Sequence, residues 1–155
     1  MKPDEIAALL SAQFGAKILE SKPSPFSPWS VVDPVEILPI CRFLCDDERL
    51  RMDHLECLAG VDYKDRIEVV YVMYSMTHRH RYALKCLLPR DSARLHSVES
   101  IWGAANWHER EAFDLVGIVF EGHSDLRRIL LPDDWEGHPL RRDYKFPTSY
   151  RDMPV

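Results

Sequence analysis

The densest group of ionisable side chains lies in the run Trp107-His108-Glu109-Arg110-Glu111-Ala112-Phe113-Asp114-Leu115-Val116. If this run is a helix, one face of it carries Trp107, Arg110, Glu111 and Asp114. Paired carboxylates can transfer protons when burial separates their pKa values, and they can also accept hydrogen bonds from arginine. Several arginines follow downstream, namely Arg127, Arg128, Arg141 and Arg142. The pattern therefore favours arginine–carboxylate pairing at an interface over acid–base catalysis.

The same region also contains possible metal ligands, namely His108, Glu109, Glu111, Asp114, His123 and His138. Their spacing is not H-E-x-x-H, and the H-x-E and P-C-x-x-C pair of the zinc deaminases does not occur. The chain has four cysteines and no C-x-x-C pair, so Cys41, Cys45, Cys57 and Cys86 are interpreted as small apolar residues rather than ligands. The sequence predicts no metal site, although a metal-dependent hydrolase using His108, Glu111 and His138 stays open as an alternative.

Other catalytic motifs are missing from the sequence. Ser75, Ser97 and Ser100 lie outside a G-x-S-x-G context, and the six glycines form no phosphate-binding loop. His78 and His80 fall in a predicted turn and are interpreted as solvated. The sequence thus predicts no site for NAD, flavin or nucleotide in this chain.

Apolar periodicity indicates three helices. The first spans residues 4–14. The second opens with Asp33 as N-cap and Pro34 at the first helical position, and Pro39 should kink or shorten it. The third spans residues 107–116, with Asn106 as N-cap, Glu109 as its capping-box partner and Gly117 as its end.

Four segments have the pattern of strands. After the proline-rich connector Ser21–Pro28, residues 29–32 are predicted to form a short edge strand. Residues 54–59 and 82–88 alternate, with Leu55 and Cys57 predicted on one face. Residues 67–76 are the next predicted strand, and nearly every residue from Val69 to Tyr74 is apolar, which predicts that both of its faces are covered. The fold class expected is α+β, an antiparallel or mixed sheet flanked by helices.

The sequence pattern changes after Phe120. No helical or strand periodicity follows, but Trp135, Tyr144, Phe146 and Tyr150 make the segment too aromatic for a solvated tail. We predict a core domain over residues 1–120 and an extended C-terminal arm over residues 121–155, which becomes ordered against something larger.

Composition excludes some function classes. The formal net charge is −5, whereas nucleic-acid binders usually carry a basic excess, so no nucleic-acid partner is expected. No run approaches the about 18 apolar residues of a membrane span. The first residues, Met1-Lys2-Pro3-Asp4-Glu5, carry acids where a signal peptide has its basic region. A cytoplasmic location is expected, with membrane contact only through partners.

The run Glu109-Arg110-Glu111-x-x-Asp114-Leu115-Val116, followed at fixed distances by His123 and Arg127-Arg128-Ile129, resembles the signature of the 30 kDa subunit family of NADH-quinone oxidoreductase, or complex I. The flanks agree, with Ala105-Asn106-Trp107 before the signature and Leu131-Pro132-x-Asp134-Trp135-Glu136-Gly137-His138-Pro139-Leu140-Arg141-Arg142-Asp143-Tyr144 after it. The resemblance is dense from about Ser100 to Tyr144.

The resemblance implies a non-catalytic structural subunit in the peripheral arm of a proton-translocating NADH:quinone oxidoreductase. Such a subunit has no active site and no cofactor of its own, and the FMN and iron–sulfur clusters are expected in partner subunits. The implied partners are the large quinone-site subunit of complex I and neighbouring iron–sulfur subunits, at the cytoplasmic face of the cell membrane. The expected interface residues are Trp107, Glu109, Arg110, Glu111, Asp114, His123, Arg127, Arg128, Trp135, Arg141, Arg142 and Tyr144.

Two alternatives accompany this prediction. The signature fits the equivalent subunit of a membrane-bound hydrogenase or formate hydrogenlyase-type complex as well, and the sequence specifies neither the electron donor nor the quinone or pumped ion. The freestanding hydrolase named above is the alternative of another class. Under the leading prediction, charge reversal at Glu111 or Arg128 should leave the isolated chain folded but block assembly.

Overall fold

A five-stranded mixed sheet forms the centre of the fold, in the order β1-β2-β5-β4-β3. The computed structural model describes residues 1–151 and 153–154. The strands of this sheet are β1 (Ile18–Lys22), β2 (Trp29–Val32), β3 (His54–Asp62), β4 (Arg66–Tyr74) and β5 (Arg81–Pro89). Only β2 and β5 are parallel, and the other neighbours are antiparallel. The α+β class with a mixed sheet flanked by helices is confirmed.

Three helices and two small sheets complete the fold. The helices are α1 (Pro3–Phe14), α2 (Ile37–Asp46) and α3 (Ala105–Val116). Strands β6 (Arg94–His96) and β7 (Val119–Glu121) pair in parallel, and β8 (Ser149–Tyr150) pairs antiparallel with β9 (Met153–Pro154). No helix in the described part of the chain is both long enough and apolar enough to cross a bilayer.

The core lies on one face of the sheet. In β5 the predicted alternation is confirmed, since Tyr82, Leu84, Cys86 and Leu88 are buried. Side chains from all three helices join the core cluster that this face forms. The prediction that β4 is covered on both faces is wrong, because its other face is only half-buried along most of its length. Helices that pack on a single face leave the opposite one open to solvent.

The alternation in β3 is interrupted by a bulge. Pairing with β4 shifts register between Leu55 and Cys57, so two residues of β3 stand against one of the partner. Leu55 and Leu58 are both buried as a result, whereas Cys57 is exposed. The predicted placement of Leu55 and Cys57 on one face is therefore wrong, since strict alternation does not continue across a bulge.

The predicted edge strand at residues 29–32 is also misplaced. β2 lies inside the sheet, because β1 pairs along its outer side. The expected connector at residues 21–28 begins only after Lys22, and β1 extends back to Ile18. The two apolar residues of β1, Ile18 and Leu19, are adjacent and do not alternate with its polar residues, so the sequence gives little sign of a strand.

Helix α2 is shorter than predicted for a physical reason. Asp33 accepts a hydrogen bond from the N–H of Val35 at 3.1 Å, as an N-cap should, but the first turn is a 3₁₀ turn over Pro34–Glu36. The α-helix begins at Ile37, which puts Pro39 in its first turn. A proline there loses no hydrogen bond, because first-turn N–H groups have no intrahelical acceptor.

Helix α3 ends as predicted but begins differently. Gly117 adopts a left-handed conformation with φ of 77°, and its N–H donates to the carbonyls of the last turn. The predicted capping box is wrong: the helix starts at Ala105, and the amide of Asn106 donates to Glu99 at 2.7 Å. Glu109 is fully buried instead of reaching back to the helix start.

One histidine expected to be solvated is not. His80 is only 9% exposed, and its Nε2 lies 2.9 Å from the carbonyl oxygen of Leu50. His78 is exposed, as predicted.

Candidate functional site

The signature carboxylate Asp114 anchors the start of the arm. It is fully buried, and its Oδ2 accepts hydrogen bonds from three consecutive N–H groups, those of Ile129, Leu130 and Leu131, at 3.0, 2.7 and 3.0 Å. Its Oδ1 pairs with Nη1 of Arg128 at 2.7 Å. Burial alone would raise the pKa of this carboxyl, but the N–H donors and the guanidinium together hold it below its usual value.

Two basic side chains from the arm reach the last turn of α3. Nη1 of Arg128 donates to the carbonyl of Asp114 at 3.1 Å, and Nδ1 of His138 lies 2.9 Å from the same oxygen. The carbonyls of a last helical turn lack intrahelical partners and carry the negative end of the helix dipole. Hydrogen-bond donors at this end of α3 therefore supply the missing partners and also interact favourably with the negative end of the dipole.

The next carbonyls of α3 are satisfied in the same way. The N–H of Leu140 donates to the Leu115 carbonyl at 2.9 Å. Nε of Arg141 donates to the Val116 carbonyl at 2.7 Å, and its Nη2 lies 3.4 Å from the Gly117 carbonyl. The end of α3 is thus closed almost entirely by groups from the arm.

A second anchor joins the arm to the end of β3. The buried carboxylate of Asp62 makes a two-bond pair with Arg90, at 2.9 and 2.8 Å, and Arg90 also contacts Asp143 at 2.6 Å. The backbone N–H of Arg142 donates to Asp62 Oδ2 at 2.8 Å, and its Nε donates to the Asp62 carbonyl at 3.0 Å. The hydrogen bonds from Arg90 hold the pKa of Asp62 below its usual value.

The aromatic residues of the arm pack on one another. Nη2 of Arg128 donates to the carbonyls of Trp135 and Gly137 at 2.9 and 3.1 Å. Nε1 of Trp135 donates to the hydroxyl of Tyr144 at 2.9 Å, and its ring lies 5.1 Å from that of Tyr150. The arm is therefore ordered against α3, β3 and itself over most of its length. The division at residue 120 stays a prediction, and Asp152 and Val155 lie outside the described residues.

Glu109 sits in a separate buried network. Its carboxylate accepts hydrogen bonds from the Ser97 hydroxyl at 2.6 Å and from the N–H of Val98 at 2.7 Å. Burial raises the pKa of Glu109, and these two bonds offset the effect only in part. The residue connects α3 to the segment after β6 rather than to the surface.

His123 lies beside this network, and its hydrogen bonds select one tautomer. Its Nδ1 accepts from the N–H of Asp125 at 3.0 Å, so the proton lies on Nε2, which donates to the carbonyl of Asn106 at 3.1 Å. The ring is fully buried, 3.5 Å from Glu99 and 3.9 Å from Glu109. These distances suit a positioning contact between α3 and the chain that follows β7.

Exposed signature residues lie on the outer side of α3. Trp107 is 63% exposed, and the guanidinium of Arg110 stacks 4.9 Å from its ring while being 5% exposed itself. Arg127 is exposed and pairs with Asp125 at 2.9 Å. Glu111 is exposed as well. The four residues predicted to share one face thus divide, with Trp107 and Glu111 outside and Arg110 and Asp114 buried under the arm.

The residues of the hydrolase alternative do not form a metal site. In the part of the chain that the structure describes, no three His, Cys, Asp or Glu side chains converge as metal ligands. His138 is bound to the end of α3, whereas His108 and Glu111 line a cleft beside β3. The geometry gives this alternative no support.

The family expected from the signature is confirmed. The model of the family "Respiratory-chain NADH dehydrogenase, 30 Kd subunit" matches residues 30–150. The chain belongs to this family. The matched range includes α3, both anchors and most of the arm.

Curated relatives agree with this family. The chain is 44% identical over 158 residues to an NADH-quinone oxidoreductase subunit from Chloroherpeton thalassium, covering 99% of this chain and 66% of the relative. It is 50% identical over 115 residues to the subunit of the same name from Roseiflexus sp. strain RS-1, covering 72% of this chain and 66% of that protein. The chain therefore spans slightly less than two thirds of the length of these relatives.

Solved structures share the fold. The trypsin-resistant fragment (1-134) of Nqo5 superimposes with a TM-score of 0.65 at 26% identity, covering 81% of this chain and 100% of the fragment. A chain of the membrane-bound sulfane sulfur reductase, described as an archaeal respiratory membrane complex, superimposes with a TM-score of 0.79 at 24% identity. It covers 94% of this chain and 86% of that chain, and this second likeness shows the fold alone.

Sequence reasoning missed three residues of the site. Asp62 and Arg90 form the second anchor, and Ser97 binds Glu109. No local pattern marks these residues, because Asp62 and Arg90 are 28 residues apart in the chain, and Ser97 and Glu109 are 12 residues apart.

Proposed function

We propose that this chain is a structural subunit in the peripheral arm of a proton-translocating NADH:quinone oxidoreductase. In this proposal it binds no cofactor and supports electron transfer from NADH, through FMN and iron–sulfur clusters of other subunits, to quinone. Its main partner is the large quinone-site subunit, with neighbouring iron–sulfur subunits, at the cytoplasmic face of the cell membrane. Membership of the 30 kDa subunit family supports this assignment.

The proposal depends on one observation: the charged signature residues are bonded to other groups of the same chain. Asp114, Arg128 and Arg141 are hydrogen-bonded within the chain and fix the arm on α3. Side chains held in this way are not free to bind and release a substrate. Their effect is to fix the arm, and with it the surface that the arm forms. A rigid surface with few adjustable groups is what a subunit that holds others in position requires.

The outward residues beside these anchors are suited to contact with another protein. Large apolar side chains remain exposed next to the charged ones: Trp107 at 63%, Leu130 at 61% and Leu140 at 60%. Tryptophan and arginine are enriched among residues that dominate binding energy, and Trp107 is stacked on a guanidinium that is already fixed. Of the residues expected at the interface, Trp107 and Glu111 are the ones best placed for direct contact.

The charge-reversal prediction changes for Arg128. This side chain is only 16% exposed and pairs with a fully buried carboxylate, so a reversed charge would place two carboxylates together. We expect that variant to release the arm and to lower stability. Glu111, which is exposed, keeps its predicted behaviour: a folded chain that assembles poorly.

Affinity purification of tagged chain from mildly solubilised native membranes tests the proposal, with mass spectrometry as the readout. We expect quinone-site, iron–sulfur and NADH-oxidising subunits to copurify. Trp107→Ala should reduce their recovery, while the matched control Phe26→Ala, an aromatic residue 91% exposed in the proline-rich connector, should not. Recovery of a hydrogenase large subunit would assign the chain to the related complex, and recovery of the chain alone would refute a structural role.

A further inference from the structure

The two edges of the central sheet differ in their protection. β1 ends in Lys22 and runs into a connector with three prolines, and its own register is irregular. Lysine, proline and irregular pairing are the usual means by which an edge strand is kept from pairing with another chain. β3 forms the opposite edge and contains no lysine, arginine or proline from His54 to Asp62. Beyond its bulge, residues 57–61 form an edge without these protections.

The register of the β3–β4 hairpin determines which groups of this edge point outward. At the turn, the N–H of Tyr63 donates to the carbonyl of Arg66 at 2.8 Å, so this is a hydrogen-bonded pair. Bonded pairs recur at every second residue of an antiparallel ladder. Cys57, Ala59 and Val61 therefore bond to β4, and the N–H and C=O groups of the residues between them point away from it.

These outward groups belong to Leu58, Gly60 and Asp62. The carbonyl of Asp62 accepts Nε of Arg142, which closes that end of the edge. Within residues 1–151 and 153–154, no backbone group outside β4 bonds to Leu58 or Gly60. Two residues of β3 thus present two donors and two acceptors at the spacing of a strand.

A small cleft accompanies this edge. Its lining includes Leu58 and Gly60 of β3, Ala112 and Leu115 of α3, and Leu140 of the arm, and its volume is about 100 Å³. A space of this size accommodates one aliphatic side chain and is too small for a cofactor, since small-molecule sites span about 300–1,000 Å³. Its inner wall is largely apolar, and it lies directly beside the unpaired backbone groups.

The charge at the mouth of the cleft narrows the choice of occupant. Glu111 lines it, is exposed, and makes no ion pair within the described residues 1–151 and 153–154. A basic side chain would complement this carboxylate. In a second copy of the chain that pairs β3 with β3, the added strand would be residues 54–62, which contain no lysine or arginine to pair with Glu111. The charge therefore favours a different polypeptide.

We propose that residues 57–61 of β3 accept an extended segment of a partner protein as a sixth strand of the sheet. The added strand bonds to the outward groups of Leu58 and Gly60, places an aliphatic side chain in the cleft, and pairs a lysine or arginine with Glu111. Strand addition takes its affinity from main-chain hydrogen bonds and its specificity from alternate side-chain pockets. This inference rests on the proposed role of the chain as a subunit of a larger complex.

Hydrogen exchange at single-residue resolution tests the proposal, with the isolated full chain compared with the purified complex. In both states the amides of Cys57, Ala59 and Val61 should be protected, since they bond to β4. The amides of Leu58 and Gly60 should exchange at least about tenfold more slowly in the complex than in the isolated chain. Unchanged exchange at these two amides in an intact complex would overturn the strand addition and leave the subunit role standing.

The charged pair is tested separately by Glu111→Arg. We expect this variant to fold normally and to lower recovery of the complex at least about tenfold, because it turns a complementary charge into a repelling one. Asp46→Arg is the matched control, an exposed acid at the end of α2, and should assemble normally. Equal recovery of the two variants would refute the pair with Glu111. Protection of Leu58 and Gly60 in a dimer of the isolated chain would refute the partner as occupant, and a chain that never assembles would refute the subunit role itself.

Discussion

Replacing Asp114 with asparagine tests whether the buried signature carboxylate holds the arm on α3. The substitution keeps the size of the side chain but removes its charge and one acceptor oxygen. Three backbone N–H groups and Arg128 converge on two carboxylate oxygens, at 2.7–3.0 Å. The single oxygen of asparagine can accept from the N–H groups or from the guanidinium. Its NH₂ group, which is a donor, then faces the other set of donors.

The magnitude follows from the burial of the pair. Breaking a buried ion pair by removing one partner costs about 3–5 kcal/mol, because the remaining charge is left without compensation. The side chain of Arg128 is 16% exposed, and it also donates to the carbonyls of Trp135 and Gly137. Water and those carbonyls compensate part of its charge, so we expect the lower end, about 3 kcal/mol.

Urea denaturation of wild type and Asp114→Asn at neutral pH measures this difference. The matched control is Asp125→Asn, which removes an exposed carboxylate of the same arm and should change stability very little. Because the folded-state pKa of Asp114 is lowered, its contribution is present at neutral pH and is lost as pH falls through that pKa. The gap between wild type and variant should therefore shrink in acid. A neutral-pH loss below about 1 kcal/mol would refute the reasoning.

Three further substitutions provide two more predictions about neighbouring contacts. Gly117→Ala and Gly122→Ala both force alanine to a positive φ, at 77° and 81°, but a Cβ at position 117 would lie 2.5 Å from the ring of His138 while position 122 is open. Thermal unfolding should show a loss of about 1 kcal/mol at position 122 and at least about 2 kcal/mol at position 117, and equal losses would show that the ring moves aside freely. The other prediction concerns Glu109, whose pKa is raised by burial. Between the pKa of this group in the unfolded chain and its higher pKa in the folded chain, the folded chain binds more protons, so stability falls as pH rises through that range. Glu109→Gln should flatten this fall in urea midpoints measured from about pH 4 upward, and an unchanged slope would assign the fall to another group.

Local sequence signals predicted the elements that depend on local geometry. The end of α3 at Gly117 was predictable because a left-handed residue is needed there and glycine adopts it without strain. The alternation of β5 was predictable because one face of that strand meets the core and the other does not. In both cases the signal lies within the sequence of the element itself.

The failures share a different cause. β2 was predicted as an edge because its partner β1 shows no alternation of apolar and polar residues. Cys57 was placed on the wrong face because a bulge depends on the pairing of two strands, not on either sequence alone. For Glu109 and Asp114, helical periodicity shows which residues share a face, but it does not show that other segments of the chain will cover them with hydrogen-bond donors. Each of these three errors therefore concerns how one segment packs against another, which the pattern of a single segment does not show.

The signature residues have two roles, according to whether they hold the arm or are exposed beside it. Asp114, Arg128 and Arg141 order the arm, so their replacement would impair any assembly indirectly, through loss of the surface that the arm builds. Trp107 and Glu111 are exposed and contribute little to the core, so their replacement would act on a partner directly. An assembly defect accompanied by a lower free energy of unfolding thus points to the first group, and an assembly defect at full stability points to the second. Measuring both quantities for each variant is what distinguishes a residue that shapes the interface from one that lies in it.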